Sequence, residues 1–332
     1  MSRVFFAAAH VAAHSSTEID WDATLRFRHH LWSLGLGVAD AMDTAQRGMG
    51  LSWDAIQQLI KRSSAEARSV GGLLACGVGT DQLPTGRYPL PTITAAYQAQ
   101  LEVVQAAGAQ VILMASRAMA ASARGADDYH SVYGKLLSQV DDKVILHWLG
   151  EMFDPALAGY WGPDPDAAVL ALIHEHAARI DGIKVSLLDA DREIALRAAL
   201  PEGVKLYTGD DFNYPSLIES GSHALLGIFD PIAVPAAKAL SALEAGDTAR
   251  FRQLLDPTVP LARHIFEAPT YHYKTGIVFL AWLNGHQEHF RMIGGHETSR
   301  SPQHLKRLYE LALDADVIDD PDFAAARYAT VA

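Results

Sequence analysis

A lysine interrupts a short, β-branched and apolar stretch that runs from Ile180 to Leu188. A strand of this composition is typically buried on both faces, and burial lowers the pKa of a lysine ammonium group toward neutrality. A lysine in that state is a nucleophile for carbonyl groups and can form a Schiff base. Alternatively, Lys184 lies near a strand end and extends its charge to water, which is the simpler explanation when the residue is considered alone.

Short apolar stretches alternate with amphipathic helical stretches along most of the chain. The pattern predicts eight strands: Val4–Ala9, Gly37–Met42, Gly71–Ala75, Gln110–Met114, Lys143–His147, Gly182–Leu187, Val204–Thr208 and Ala224–Ile228. Between them it predicts seven helices: Ala23–Leu34, Trp53–Arg68, Ile93–Ala107, Asp128–Gln139, Ala167–Arg179, Glu193–Ala199 and Tyr214–Ser220. Strands that alternate with helices pair in parallel through right-handed crossovers, so eight such units predict an α/β fold, the closed (β/α)8 TIM barrel.

An open, doubly wound sheet is the competing fold. It usually carries a glycine-rich phosphate-binding turn after its first strand, whereas this chain has His10-Val-Ala-Ala-His14 at that point. Further helices without intervening strands are predicted after the last strand: Pro235–Ala245, Thr248–Phe266, Gly276–His289 and Pro302–Leu313. We therefore predict a barrel in residues 1–230 and a C-terminal helical extension, packed on the barrel, in residues 231–332.

The composition is that of a globular protein. The 332 residues are 49% hydrophobic and carry a net charge of −12, which argues against nucleic acid or an anionic membrane as a partner. The single cysteine, Cys76, excludes an intrachain disulfide, and no uninterrupted apolar stretch reaches the length of a membrane span. A cytoplasmic protein with a small-molecule partner is the expectation.

The predicted barrel brings together side chains that are far apart in the sequence, because active sites of this fold lie at the C-terminal ends of the strands. The residues expected there include histidines, acids and arginines: His10, Asp43, Thr44, Ala45, Arg47, Arg117, His147, Glu151, Lys184, Gly209, Asp210 and Asp211. A perturbed lysine among such groups is a candidate functional residue. The barrel therefore favours the nucleophile over the strand-end lysine.

Three stretches carry a resemblance to a known family: Asp181-Gly-Ile-Lys-Val-Ser186, Gly209-Asp-Asp211 and Gly221-Ser-His-Ala-Leu-Leu-Gly227. They resemble strands six to eight of the dihydrodipicolinate synthase and N-acetylneuraminate lyase family. The resemblance implies a class I aldolase in which Lys184 forms a Schiff base with pyruvate, another 2-oxo acid or a sugar-derived acid. It also implies that no cofactor is needed and that the protein is a homodimer or homotetramer.

The chain departs from that family at two motifs. Where the family has Gly-Thr-Thr-Gly-Glu, this chain has Asp43-Thr-Ala-Gln-Arg47, so Thr44 and Ala45 inherit the place of the two threonines that bind the substrate carboxylate. The resemblance adds Gly209 and Leu226 as further substrate contacts. His147 replaces the family's catalytic tyrosine and could relay protons in its place, with a pKa nearer to the operating pH. The chain is thus similar to a divergent, uncharacterised branch of the family.

Several of these residues have alternative explanations. Arg117 either pairs with a buried acid or recognises a carboxylate or phosphate of the substrate through its planar guanidinium group. His147 either relays protons or is a hydrogen-bonded histidine at a strand end. Asp210 and Asp211 are expected to cap the helix that follows them rather than to take part in catalysis.

Two other functions compete with the Schiff-base aldolase. His10, Asp43, His147 and Glu151 could converge on a divalent metal ion, which would make the protein a metal-dependent isomerase or aldolase. No compact ligand spacing supports this, and Lys184 would be electrostatically unfavourable beside a metal ion. The other possibility is a non-catalytic barrel that binds a small metabolite as a sensor.

Overall fold

The computed structural model describes residues 3–331. Its centre is a closed barrel of eight parallel strands in sequential order, in which the last strand pairs with the first. The strands are Phe5–Ala8 (β1), Gly37–Asp40 (β2), Leu74–Val78 (β3), Gln110–Met114 (β4), Val144–Leu149 (β5), Ile180–Ser186 (β6), Lys205–Thr208 (β7) and His223–Leu226 (β8). The predicted TIM barrel is confirmed.

Helices surround the barrel and extend beyond its last strand. They are Trp21–Ser33 (α1), Trp53–Val70 (α2), Leu90–Ala107 (α3), Arg117–Ser122 (α4), Ala126–Leu137 (α5), Pro165–Glu175 (α6), Ala190–Ala199 (α7), Tyr214–Glu219 (α8), Ala233–Glu244 (α9), Thr248–Leu255 (α10), Val259–Ile265 (α11), Tyr273–Leu283 (α12), Pro302–Asp314 (α13) and Pro321–Tyr328 (α14). Eight of them begin after a Ser or Asp whose side chain accepts a hydrogen bond from a first-turn amide: Asp20, Ser52, Ser116, Asp164, Asp189, Asp247, Ser301 and Asp320.

Two apolar clusters hold the barrel together. The smaller cluster lies inside the barrel and includes Phe6, Ile112, Ile145, Tyr207 and Leu225. The larger cluster lies between the strands and the surrounding helices. Because successive side chains of a strand point to opposite faces, alternate residues of each strand belong to different clusters. This alternation decides which polar side chains reach the barrel interior.

Some element boundaries differ from those predicted. The third strand begins at Leu74 rather than Gly71, because Gly71 ends α2 in the left-handed conformation with φ of 66°. The fifth strand continues to Leu149, so His147 lies inside the strand and not at its end. The predicted helix Thr248–Phe266 is divided into α10 and α11 by a 3-10 turn that contains Pro257. The short helices α4 and α14 were not predicted.

The helices after residue 230 pack on the barrel as predicted. Ile277 and Leu280 of α12, together with Leu308 of α13, belong to the same hydrophobic cluster as the strands and the barrel helices. Because that cluster is continuous, the division into residues 1–230 and 231–332 stays a prediction. Within residues 3–331, no helix combines the length and the hydropathy that a membrane crossing needs.

Candidate active site

Lys184 lies on β6 and faces the interior of the barrel. It is paired with His147 on β5 and with Tyr207 on β7, and Tyr207 belongs to the interior cluster. Its side chain is 8% exposed. The predicted position of the lysine, buried and near the C-terminal end of a barrel strand, agrees with the structure.

Gly209 makes room for the lysine side chain. This glycine follows β7, and a β-carbon added to it would lie 2.8 Å from Cε of Lys184 and closer still to Oγ of Ser186. Any larger residue would occupy the space that the lysine stem now fills. Gly209 therefore contributes to the site by the absence of a side chain.

The pKa of Lys184 is lowered from its ordinary value because burial disfavours the ammonium form. The carboxylates of Asp211 and Asp43 act in the opposite direction and keep the pKa from falling further. Within residues 3–331, no side chain or carbonyl group accepts a hydrogen bond from Nζ. These are the properties of an amine that is accessible in its neutral, nucleophilic form.

Asp211 is a candidate site residue, although its position in the sequence predicts a helix cap. Asp210 does cap the following turn, since its Oδ1 accepts hydrogen bonds from the amides of Phe212 and Asn213. Asp211 instead accepts a 2.8 Å hydrogen bond from the amide of Ile228. Burial raises the pKa of Asp211 to about 7, although that hydrogen bond and the charge of Lys184 oppose the shift. Its carboxyl group can therefore gain and lose a proton near neutral pH.

His147 is fully buried beside Lys184. Its Nε2 lies 3.3 Å from Oγ of Ser186, and its buried Nδ1 has no hydrogen-bond partner in the part of the chain that the structure describes. Burial, and secondly the charge of Lys184, hold the pKa of His147 well below its usual value. The expectation of a pKa nearer to the operating pH was wrong, because the histidine is enclosed within the barrel rather than placed at its rim.

Thr44 and Ala45, the pair predicted to bind the substrate carboxylate and called the carboxylate cradle below, lie in a 3-10 turn, Asp43–Ala45, directly after β2. Oγ1 of Thr44 lies 2.9 Å from the hydroxyl of Tyr273, at the start of α12, and both residues are buried. The amide of Ala45 donates to the carbonyl oxygen of Met42 at 3.1 Å. Tyr273 was not identified from the sequence, and it brings a phenol group from the C-terminal helices to the cradle.

A cavity of about 740 Å³ opens beside these residues at the C-terminal ends of β2 to β5. Its wall contains Asp43, Thr80, Ser116, Arg117 and Asp154, together with apolar side chains. Nε of Arg117 donates to Asp154 at 2.6 Å, and half of the arginine side chain is exposed. Asp43 connects the cavity to the lysine, because Asp43 lines the wall and its charge acts on Lys184. Lys184 and His147 themselves do not line this cavity.

A second buried lysine lies near the same mouth. Lys274 is 4% exposed, and its Nζ donates to the carbonyl oxygen of Tyr271 at 3.1 Å. Burial lowers the pKa of Lys274 to about 8, while the charges of Asp43 and Asp154 raise it. No sequence pattern marks this residue as part of the site, because it lies at the start of a C-terminal helix far from the strand motifs.

Two other predicted residues have less free side chains. Arg47 lines the cavity, but its guanidinium group is held by Asp81 and by the carbonyl oxygens of Ala41 and Gly77. Leu226 is fully buried in the outer cluster between strands and helices, so its side chain points away from the barrel interior.

The four residues suggested as metal ligands do not converge. His10 bonds through Nδ1 to Asp230 at 2.8 Å deep in the structure, whereas Glu151 is exposed. Within residues 3–331, the one group of three potential ligands with the compactness of a metal site is different: His264, Glu267 and His304.

Comparison with known proteins gives a family and a fold. The model of a family described as "Protein of unknown function (DUF993)" matches residues 1–332, so the chain belongs to that family. No curated protein sequence matches it.

Dihydrodipicolinate synthases of known structure have the same fold. That of Aquifex aeolicus is 14% identical with a TM-score of 0.75, and the match covers 95% of this chain and 99% of that one. The 4-hydroxy-tetrahydrodipicolinate synthase of Methylacidiphilum fumariolicum SolV is 16% identical with a TM-score of 0.74, covering 100% and 99%. The chloride-inhibited enzyme of Acinetobacter baumannii, complexed with pyruvate, is 17% identical with a TM-score of 0.74, covering 96% and 100%.

Proposed function

We propose that this member of the DUF993 family is a class I aldolase or lyase that makes or breaks a carbon–carbon bond of a 2-oxo acid. The observation that carries the proposal is Lys184: a buried amine with a lowered pKa that points into a TIM barrel and has no hydrogen-bond acceptor among the described residues. The likeness of the fold to dihydrodipicolinate synthases supports the same class of reaction.

The reaction begins with attack of the neutral Nζ on the carbonyl carbon of the substrate. The resulting carbinolamine loses water, and the iminium ion that forms withdraws electrons from the adjacent carbon. Loss of a proton from that carbon, or cleavage of the bond beyond it, gives an enamine. Protonation of the enamine, or its addition to an aldehyde, followed by hydrolysis, releases the product and restores the amine.

Two groups can move the protons that these steps require. Asp211, with its pKa near 7, can donate and accept a proton at neutral pH. His147 lies next to Lys184 on the neighbouring strand and is neutral in the resting site, so it can accept a proton when the substrate approaches. We assign the main relay to Asp211 and retain His147 as a second proton acceptor.

The substrate carboxylate binds at the turn Asp43–Ala45 in this proposal. The hydroxyl groups of Thr44 and Tyr273 lie 2.9 Å apart, so one donates to the other and the second keeps its proton for an anion that enters between the turn and α12. A cavity of about 740 Å³ exceeds what pyruvate alone would fill, which favours a longer 2-oxo acid or a sugar-derived acid. Arg117 would bind a second anionic group at the far wall.

Reductive trapping tests the proposal. The protein is incubated with pyruvate or a longer 2-oxo acid and sodium borohydride, and the labelled peptide is identified by mass spectrometry. We expect one carboxyethyl group on Lys184 with pyruvate. Lys184→Arg should abolish the label, whereas Lys274→Arg, which alters the other buried lysine, should retain it.

Two results would remove the proposal. One is the absence of any adduct at Lys184 with every 2-oxo acid tried, and the other is a label on Lys274 that persists in Lys184→Arg. Saturable ligand binding without an adduct would instead indicate a metabolite-binding barrel. Homodimer or homotetramer formation is part of the same proposal and is tested by sedimentation of the purified chain.

A further inference from the structure

Three side chains from two C-terminal helices converge at a place that the proposed reaction does not use. His264 lies on α11, Glu267 follows that helix, and His304 lies in the first turn of α13. Their ligand atoms all lie within 4.8 Å of one another.

Glu267 is the centre of the group. Its Oε1 lies 2.9 Å from Nδ1 of His304, and its Oε2 lies 3.3 Å from Nδ1 of His264. The two imidazole rings are stacked, with centroids 4.0 Å apart and an interplanar angle of 19°. Both Nδ1 atoms therefore face one carboxylate from the same side.

The hydrogen bonds fix the protonation of one ring. Nε2 of His264 lies 2.9 Å from the backbone carbonyl oxygen of His304, which can only accept, so Nε2 carries a proton. In the neutral ring, Nδ1 then presents a lone pair to Oε2 of Glu267 at 3.3 Å. Two acceptors at that distance repel each other unless a cation, either a metal ion or an additional proton, lies between them.

We propose that His264, Glu267 and His304 bind one zinc ion. Two imidazole nitrogens and one carboxylate are a common zinc ligand set, with a water molecule in the fourth position. The bond from Nε2 of His264 to a carbonyl oxygen is the outer contact that usually orients a zinc-binding histidine. Glu267 is half exposed, so the ion and its water have access from solvent.

The positive charge of Arg300 acts on His304 and would disfavour a zinc ion there. Its guanidinium group donates to the backbone carbonyl oxygens of Ile265, Glu267 and Pro269, and these dipoles partly compensate its charge. His304 is buried on α13, and its Nε2 has no hydrogen-bond partner among residues 3–331. The polar contacts of its ring are thus confined to the Nδ1 side, which faces Glu267.

The site would tie the C-terminal helices to the barrel mouth. Phe266 precedes Glu267, and its ring stacks on that of Tyr273 at 4.5 Å, with an angle of 17° between the planes. Phe266 also lies against Gly227, where a β-carbon would be 3.0 Å from its Cζ. A zinc ion on Glu267 would therefore hold the residue next to this aromatic contact.

Titration of the metal-free chain with zinc chloride tests the proposal. We expect one equivalent to bind to tag-free protein that has been stripped with a chelator, and to raise the melting temperature. Glu267→Gln should weaken zinc binding by about 100-fold. Removal of a residue that only supports a metal ligand already weakens binding by about 10-fold to 100-fold, and here a ligand itself is removed. Glu66→Gln is the matched control, because it disrupts an ordinary histidine–glutamate pair, Nε2 of His29 to Oε2 of Glu66 at 2.8 Å.

Two measurements keep the test independent of folding defects and of the aldolase proposal. Anomalous diffraction from a zinc-soaked crystal of the unmutated protein should show a peak among His264, Glu267 and His304. Lys184→Arg should bind zinc as tightly as the unmutated chain, since it changes only the proposed nucleophile. No stoichiometric binding, a peak elsewhere, or unchanged affinity in a folded Glu267→Gln variant would overturn the proposal.

Discussion

The side chain of Lys184 crosses the face of Gly209, and a β-carbon at position 209 would lie 2.8 Å from Cε of the lysine. The contact joins β6 to the loop after β7, at the point where the amine enters the barrel. Such a β-carbon would also lie 2.9 Å from the carbonyl oxygen of Val185, so either the end of the lysine side chain or the neighbouring backbone would have to move. The position of the amine therefore depends on a residue that has no functional group.

Gly209→Ala should displace Lys184 and reduce its labelling by 2-oxo acids and borohydride by roughly 100-fold, because a displacement of about 1 Å has that effect on a reacting group. Gly125→Ala is the control: Gly125 has an extended backbone, and a β-carbon there would meet nothing within 4 Å. Equal labelling of both variants would show that the lysine position does not depend on Gly209. The rate of adduct formation is the measurement.

Asp211→Asn should move the acidic limb of the pH profile for Schiff-base formation to lower pH. The carboxylate of Asp211 raises the pKa of Lys184, so its removal lets burial lower that pKa further and leaves more neutral amine at a given pH. Asp210→Asn is the control, because Asp210 caps a turn and is not among the groups that shift the pKa of Lys184. If the acidic limb of the pH profile stays in place or moves to higher pH in Asp211→Asn, Asp211 does not raise the pKa of Lys184.

Tyr273→Phe removes the hydroxyl that lies 2.9 Å from Thr44 Oγ1. We expect KM for the 2-oxo acid to rise by about threefold to tenfold, the usual worth of one neutral hydrogen bond. The fold should be retained, because the ring still stacks on Phe266. Tyr309→Phe, in a ring pair with Tyr328 on the outer helices, should leave KM unchanged.

Arg117→Gln should raise KM by about tenfold for substrates with a second anionic group, and should have little effect with pyruvate. The guanidinium group lines the cavity and is only partly engaged by Asp154. Arg124→Gln disrupts a comparable pair, with Asp128, outside the cavity and should change neither value. Steady-state kinetics with a short and a long 2-oxo acid separates the two cases; equal effects on both substrates would argue against a second anion site.

Glu193 makes stability depend on pH. Burial raises its pKa from 4.5 to about 7, so the native state binds this proton more tightly than the unfolded chain does. The free energy of unfolding therefore falls as pH rises from about 4.5 to about 7. Because glutamine does not titrate, Glu193→Gln should escape this loss, so its free energy of unfolding should rise by on the order of 2–3 kcal/mol relative to that of the unmutated chain across that range. Urea unfolding at about pH 5 and about pH 8 measures the difference; the exposed Glu175→Gln should show none.

The barrel and the position of the proposed nucleophile could be predicted because their signals are local. Each strand is a short apolar stretch, and Lys184 is conspicuous as a charge within one of them. The barrel pattern places Asp211 at the same mouth as Lys184, but an aspartate after a strand is most often a cap, and only the folded chain shows that it accepts from the amide of Ile228 and shifts the pKa of the lysine. Tyr273 meets Thr44 across 229 residues of sequence, a contact that no local pattern indicates.

The hydrogen bond between Thr44 and Tyr273 also concerns the order in which the site is completed during synthesis. A nascent chain that has emerged as far as Leu226 contains all eight strands and the amine of Lys184, but not yet Tyr273. N-terminal regions generally fold first as a chain is made. The proposed nucleophile is therefore synthesised before Tyr273, and the contact between Thr44 and Tyr273 can form only after residue 273 has been translated.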